Sequence, residues 1–183
     1  MKISTKKGDR GETSLLGGKR VGKDDPRVAV NGDIDELNAS VGAAAAFIKS
    51  EELKELLAAV QRDLFTIGAN LSASGNGKDK PPELEKGSLQ RLEKFIDDAE
   101  RRLPPLKEFI LPGGSTGGAM LHQTCAVARR AERNVVALSR TIAVDPTILV
   151  YLNRLSDMLF MAARVENDRA GAAREPWHRN KKP

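Results

Sequence analysis

The sequence predicts an all-α fold, a five-helix bundle of the up-down, ferritin-like type, with a glycine-rich ligand-binding segment ahead of it. Two observations predict the bundle. From residue 33 onward apolar residues recur at helical spacing, and clusters of glycine and proline cut that pattern into five runs. A third observation separates the first 32 residues: Gly8, Gly11, Gly17, Gly18, Gly22 and Gly32 are crowded among Lys, Asp and Thr.

The first helix is expected from about Asp33 to Lys49, with Ile34, Leu37, Val41 and Ile48 on one face. Leu53, Leu56, Leu57, Val60, Leu64, Ile67 and Leu71 carry the second, which should stop before Ser74-Gly75-Asn76-Gly77 and Pro81-Pro82. The third spans roughly Glu83 to Leu103 through Leu92, Phe95, Ile96 and Ala99, and Pro104-Pro105 ends it. Ser115, at the end of Leu111-Pro112-Gly113-Gly114-Ser115, reads as the N-cap of a long fourth helix. That helix runs to about Ala143 through Leu121, Ala128, Ala131, Val135 and Leu138. Asp145-Pro146, an N-cap followed by proline at the first helical position, opens the fifth through Leu149, Leu152, Leu155, Leu159 and Ala163. No strand-like alternation of useful length competes with this reading.

Composition narrows the function classes. A chain of 183 residues, 40% hydrophobic and 30% charged, suits one soluble domain. The expected organisation is residues 1–32 as a ligand-binding segment, 33–168 as the bundle, and 169–183 as a loose basic tail. One cysteine excludes an internal disulfide framework and a cysteine-built zinc site. No long apolar run and no apolar leader is visible, so a cytoplasmic protein without a membrane partner is expected.

Residues 1–23 carry seven Lys/Arg against Asp9 and Glu12, a net +5, and 169–183 carry five against Glu175, a net +4, leaving −4 for 24–168. Basic ends on a slightly acidic body are not the continuous positive face of a nucleic-acid binder, and 4% aromatic residues leave few rings for bases. Small anionic ligands suit the N-terminal charge better.

Three segments carry candidate chemistry. Gly17-Gly18-Lys19-Arg20-Val21-Gly22-Lys23-Asp24 nears a Walker A pattern, but Asp24 would repel a phosphate and no hydrophobic strand precedes it. What survives is a mobile phosphate cradle of cations, hydroxyls and glycine amides, Thr5-Lys6-Lys7-Gly8 to Thr13-Ser14 plus Lys23, set against a plain solvated basic tail. In the fourth helix Arg129 and Arg133 share a face, and two guanidiniums there could fork onto phosphate oxygens. An exposed ion-pair network of Arg129, Arg130, Glu132 and Arg133 is the competing reading. In the fifth helix Asn153 and Asp157 are four apart, suited to a nucleoside edge or to a neighbouring helix.

Metal and nucleophile readings fail. His122 and His178 are the only histidines, the single E-x-x-H stretch at Glu175 sits beside a proline, and no protein metal site is expected. Cys125 and His122 read as interior residues, with no Ser-His-Asp or Cys-His arrangement.

Taken in order, these blocks resemble a known family. Thr5 to Gly11, Lys23-Asp24-Asp25-Pro26-Arg27-Val28, Asp35-Glu36-Leu37-Asn38, Leu111 to Ser115, Leu121-His122, Arg129 to Arg133 and Tyr151 to Asp157 look like PduO-type ATP:cob(I)alamin adenosyltransferases over roughly residues 3 to 166. The resemblance implies transfer of the 5′-deoxyadenosyl group of ATP to the cobalt of reduced cobalamin, giving adenosylcobalamin and triphosphate. It implies a homotrimer with active sites between subunits and Mg²⁺ on the phosphates. A flavin-type reductase and an adenosylcobalamin-dependent enzyme are the implied partners.

By that resemblance Thr5, Lys6, Lys7, Gly8, Thr13, Ser14 and Lys23 wrap ATP, and Arg129, Arg130, Glu132, Arg133 and Asn153 complete its site. Arg129, Asp35 and Asn153 form the implied catalytic set, and Phe109 meets the lower face of cobalamin. One position departs from the family. Cys125 stands where an arginine commonly pairs with the aspartate matching Asp35 across the subunit boundary, so Cys125→Arg is expected to strengthen assembly or activity. The alternative function is a catalytically silent nucleotide-binding or regulatory bundle. An RNA-binding bundle, with steeply salt-dependent binding, is disfavoured by the acidic body.

Overall fold

In the computed structural model, which describes Ser4 and residues 6–73, 80–173 and 175–177, a short hairpin precedes five helices. The hairpin pairs β1 (Glu12–Ser14) with β2 (Arg20–Gly22) antiparallel, Thr13 opposite Val21. The helices are α1 (Pro26–Ala45), α2 (Glu51–Leu71), α3 (Ser88–Arg102), α4 (Thr116–Ser139) and α5 (Pro146–Arg169). Thr5, His178 and the Ser74–Gly77 turn cluster lie outside the described residues.

Local chemistry sets the helix ends. Asp25 accepts from Arg27 N at 2.8 Å with Pro26 at the first position, so α1 starts at Pro26 and not at Asp33. Residues 26–32 are therefore its first two turns. Gly87 at φ 101° is left-handed, which delays α3 from the expected Glu83 to Ser88. Ser115 caps α4 by accepting from Gly118 N at 3.0 Å, and Asp145 caps α5 by accepting from Thr147 N at 2.9 Å, as expected. α4 stops at Ser139, short of Ala143.

Cross-helix pairs give the topology. Asn38 and Gln61 exchange side-chain-to-backbone hydrogen bonds, Asn134 reaches Asp33, and Cys125 reaches the Ser156 carbonyl, so α1/α2, α1/α4 and α4/α5 are antiparallel pairs. Arg154 meets Glu93 and Arg164 meets Pro104, so α3 runs with α5. The directions alternate along the chain, as an up-down bundle requires.

The core lies along this axis. Leu37, Val41, Leu57, Leu64, Leu121, Leu152, Leu155 and Leu159 are fully buried, each stabilising the bundle by about 1.5–3 kcal/mol. Ala128 and Ala131 on α4 are buried too, and their small side chains let α1 and α5 close on that helix from both sides. One polar knot crosses the core: Asp63 on α2 accepts from Ser88 Oγ at 2.9 Å, Arg91 Nη2 at 3.0 Å and the Tyr151 hydroxyl at 2.9 Å.

Candidate active site

The glycine-rich segment acquires shape from its own turns and from the end of α2. Gly11, Gly17 and Gly18 take positive φ where the hairpin bends. Leu16 N donates to Ser72 O at 2.9 Å and Arg27 Nη1 to Ala73 O at 3.1 Å, which ties the segment to α2. Arg20 Nη2 reaches Lys7 O and Glu12 Oε2, each at 3.1 Å, and holds the preceding loop on the hairpin. A Cβ on Gly8 would stand 3.3 Å from Lys23 Nζ, so the ammonium lies directly against that loop. Lys6, Lys7, Ser14 and Lys23 are exposed, while Thr13 and Gly8 are half-buried. The structure thus gathers Lys7, Gly8 and Lys23 of the expected phosphate cradle, with Thr13 and Ser14 on the adjoining strand.

A cleft of about 1210 Å³ opens between α3, α4, α5 and the loop after α3, with Phe109, Cys125, Arg129, Arg154, Asp157 and Phe160 among its walls. Phe109 stands on its rim 81% exposed, an unusual place for an aromatic ring without a ligand or partner. Arg154 bridges Glu93 and Asp157, each at 3.3 Å, and thereby gives the cleft one charged wall. Phe160, further along α5, meets the His122 ring edge-on with centroids 5.7 Å apart. Burial holds His122 neutral by lowering its pKa, and burial likewise pushes the Cys125 thiol up, so neither is primed as a nucleophile or acid.

The arginine segment divides between two faces. Arg129 and Arg133 are exposed, Arg129 in the cleft wall, and Asn153 Nδ2 donates to Glu132 Oε1 at 3.2 Å. Arg130 points to α1, bonding Glu36 and approaching Asp33 Oδ1 at 3.9 Å. That pairing lowers the Glu36 pKa and ties α4 to α1, with Asn134–Asp33 beside it. Asp35 is exposed and has no hydrogen-bond or ion-pair partner among the described residues; Cys125, 8% exposed, faces Ser156 on α5 instead.

Two groupings are not joined. Among the described residues no hydrogen bond or ion pair links Lys6, Lys7, Gly8, Thr13, Ser14 or Lys23 to Arg129, Arg130, Glu132, Arg133 or Asn153. The hairpin is pinned at the end of α2, whereas the cleft is lined by α3, the loop after it, and the middle of α4 and α5. Among the described residues no cluster of three or more His, Cys, Asp or Glu is placed to hold a metal ion, and no helix is long and apolar enough to cross a membrane.

Sequence reasoning missed three contributors. Arg154 lies inside the Tyr151 to Asp157 block without a role of its own, and Phe160 sits among the apolar residues of α5, whose spacing gives no hint of which face opens. The third is the stretch after α5: Leu111 N donates to Glu175 O and Trp177 N to Phe109 O, both at 2.8 Å, so residues 175–177 lie along the Phe109 segment. A loose tail was expected there.

The family model described as cobalamin adenosyltransferase matches residues 3–166. The chain belongs to that family. Its relatives include the corrinoid adenosyltransferase of Bacillus subtilis, 44% identical over 98% of this chain and 94% of the relative. The corrinoid adenosyltransferase of Mycobacterium tuberculosis is 41% identical over 91% of this chain and 89% of its own. A variant PduO-type ATP:corrinoid adenosyltransferase from Lactobacillus reuteri, solved in complex with cobalamin and ATP, superposes with a TM-score of 0.92 at 35% identity, covering 97% of this chain and 100% of that one. As a cobalamin adenosyltransferase family member, the chain shares the five-helix fold of that solved structure.

Proposed function

We propose that the protein transfers the 5′-deoxyadenosyl group of ATP to the cobalt of cob(I)alamin, releasing triphosphate and forming adenosylcobalamin. One observation carries this reading beyond family membership: a cleft with an exposed aromatic on its rim and Arg129 in its wall, where burial leaves neither Cys125 nor His122 primed as a nucleophile. Reduced cobalt is itself the nucleophile. A cobalt–C5′ bond forms as the C5′–O5′ bond breaks, and the electron pair leaves with triphosphate. The protein has to orient the two reactants and stabilise charge growing on the leaving group.

Lys7, Gly8, Thr13, Ser14 and Lys23, with Thr5 and Lys6 beside them, are proposed to hold the triphosphate; Arg129 and Arg133 fork onto it and Asn153, aligned by Glu132, meets the nucleoside. Arg130 contributes by fixing α4 against α1. Because no hydrogen bond or ion pair joins the hairpin to the arginine face among the described residues, the complete site is proposed to form between subunits of a homotrimer, with Asp35 at the boundary. Magnesium would ride on the phosphates, with phosphate oxygens and water as its ligands. Phe109 is proposed to replace the lower cobalt ligand, which eases reduction to Co(I).

A cytoplasmic setting, an electron donor of the flavin-reductase type and a recipient adenosylcobalamin enzyme complete the proposal. Equilibrium binding of ATP to Lys23→Ala tests the hairpin's part. The expected result is weakened ATP affinity with unchanged helix content, and unchanged affinity would overturn it.

A further inference from the structure

α5 grips both ends of the segment that carries Phe109. Arg164, 6% exposed, donates from Nη2 to the Pro104 carbonyl at 2.7 Å. One turn later Asn167 donates from Nδ2 to Gly113 O at 2.8 Å. Its Oδ1 accepts from Ser115 N at 2.9 Å and from the Ser115 hydroxyl at 3.0 Å. With its proton committed to Asn167, Ser115 Oγ is left as the acceptor that caps α4 at Gly118 N. One amide therefore fixes the end of the loop and the start of the helix together.

The seat of Asn167 is built into the chain. A Cβ on Gly114, or one on Gly118, would collide with Asn167 Oδ1. Gly114 also takes φ +101°, so glycine is required there twice over. Between the two anchors, prolines stiffen the start of the segment, and Phe109 projects from its middle with Leu106 and Leu111 partly exposed on either side.

We propose that Arg164 and Asn167 are positioning residues, a two-point clamp that sets the height of Phe109 over the cleft. The proposal rests on the reading above that Phe109 meets the corrinoid. A rigid, planar ligand cannot adapt to a shifted aromatic, so releasing one anchor affects corrinoid use and leaves ATP binding intact.

Asn167→Ala in the full chain tests this, with Asn167→Asp as the conservative variant that retains the acceptor for Ser115. KM for corrinoid at saturating ATP is expected to rise about tenfold or more, and KM for ATP to stay within about twofold. Trp177, the single tryptophan, bonds Phe109 through its backbone, so acrylamide quenching of its fluorescence reports the segment without any turnover. Quenching should increase in Asn167→Ala and return partly in Asn167→Asp. Unchanged corrinoid KM, or an equal rise in both KM values, overturns the clamp. Should Asn167→Ala not fold, Arg164→Gln releases the other end and carries the same readouts. A wild-type protein that makes no adenosylcobalamin contradicts the function, and the quenching comparison then decides the clamp alone.

Discussion

Asn153 on α5 donates a hydrogen bond from Nδ2 to Glu132 Oε1 on α4, 3.2 Å away, and so joins the two helical segments that carry the proposed nucleotide site. The pair is solvent-accessible and contributes little to stability. Its consequence is orientation: the Asn153 amide is held beside the face bearing Arg129 and Arg133. Asn153→Ala is expected to lower kcat/KM for ATP by about 10- to 100-fold, the cost of one or two well-aligned hydrogen bonds, while the urea midpoint stays near wild type. Steady-state kinetics with varied ATP and an unfolding curve check both halves.

Arg129 and Arg130 are neighbours in sequence with different tasks. Arg129 faces the cleft, whereas Arg130 is held by Glu36 and Asp33 on α1. Arg129→Ala should reduce kcat by about 10²–10³, the usual loss when one donor to a developing anion is removed. Arg129→Lys restores only part of it, because the planar fork is gone. Arg130→Ala should show the smaller kinetic effect. Equal losses in the two alanine variants, measured by single-turnover kinetics, would contradict this division.

Asp63 is the buried hub of the polar knot between α2, α3 and α5. Tyr151→Phe removes one of its three donors and should cost about 1 kcal/mol. Asp63→Ala strands the Tyr151 hydroxyl and leaves Arg91 only Glu85 at 3.9 Å as a carboxylate, for about 2–4 kcal/mol, less than a fully buried pair because the Arg91 side chain is 33% exposed. Urea denaturation of the two variants measures the difference.

His122 makes stability sensitive to mildly acidic pH. Burial keeps its folded pKa below the ordinary histidine value of 6.5, so as pH falls the unfolded chain binds a proton first. The stabilisation is complete above about pH 6.5 and is lost as pH drops through the lower folded value. Urea midpoints taken from neutral to mildly acidic pH should therefore fall in wild type and fall less in His122→Gln.

The helices were legible because an amphipathic helix writes its buried face into the sequence at three- and four-residue spacing. Capping was equally readable at Ser115 and Asp145. Asp25-Pro26 has the same form as Asp145-Pro146, yet the surrounding glycines hid it, and α1 was expected seven residues late. The hairpin was invisible because three-residue strands are too short to show alternation. Among the arginines, spacing marked a segment but could not say that Arg130 turns to α1 while Arg129 lines the cleft. Nor could it separate an exposed Phe109 from a core aromatic, since exposure depends on the loop that α5 clamps.

The central claim is tested most directly under anaerobic conditions, with purified protein, ATP, Mg²⁺ and chemically reduced cobalamin. The readouts are the absorption spectrum of light-sensitive adenosylcobalamin and the release of triphosphate. The account predicts that both products appear together in equal amounts. ATP binding without either product would contradict it, leave a silent nucleotide-binding bundle, and make Cys125→Arg the first variant to assay.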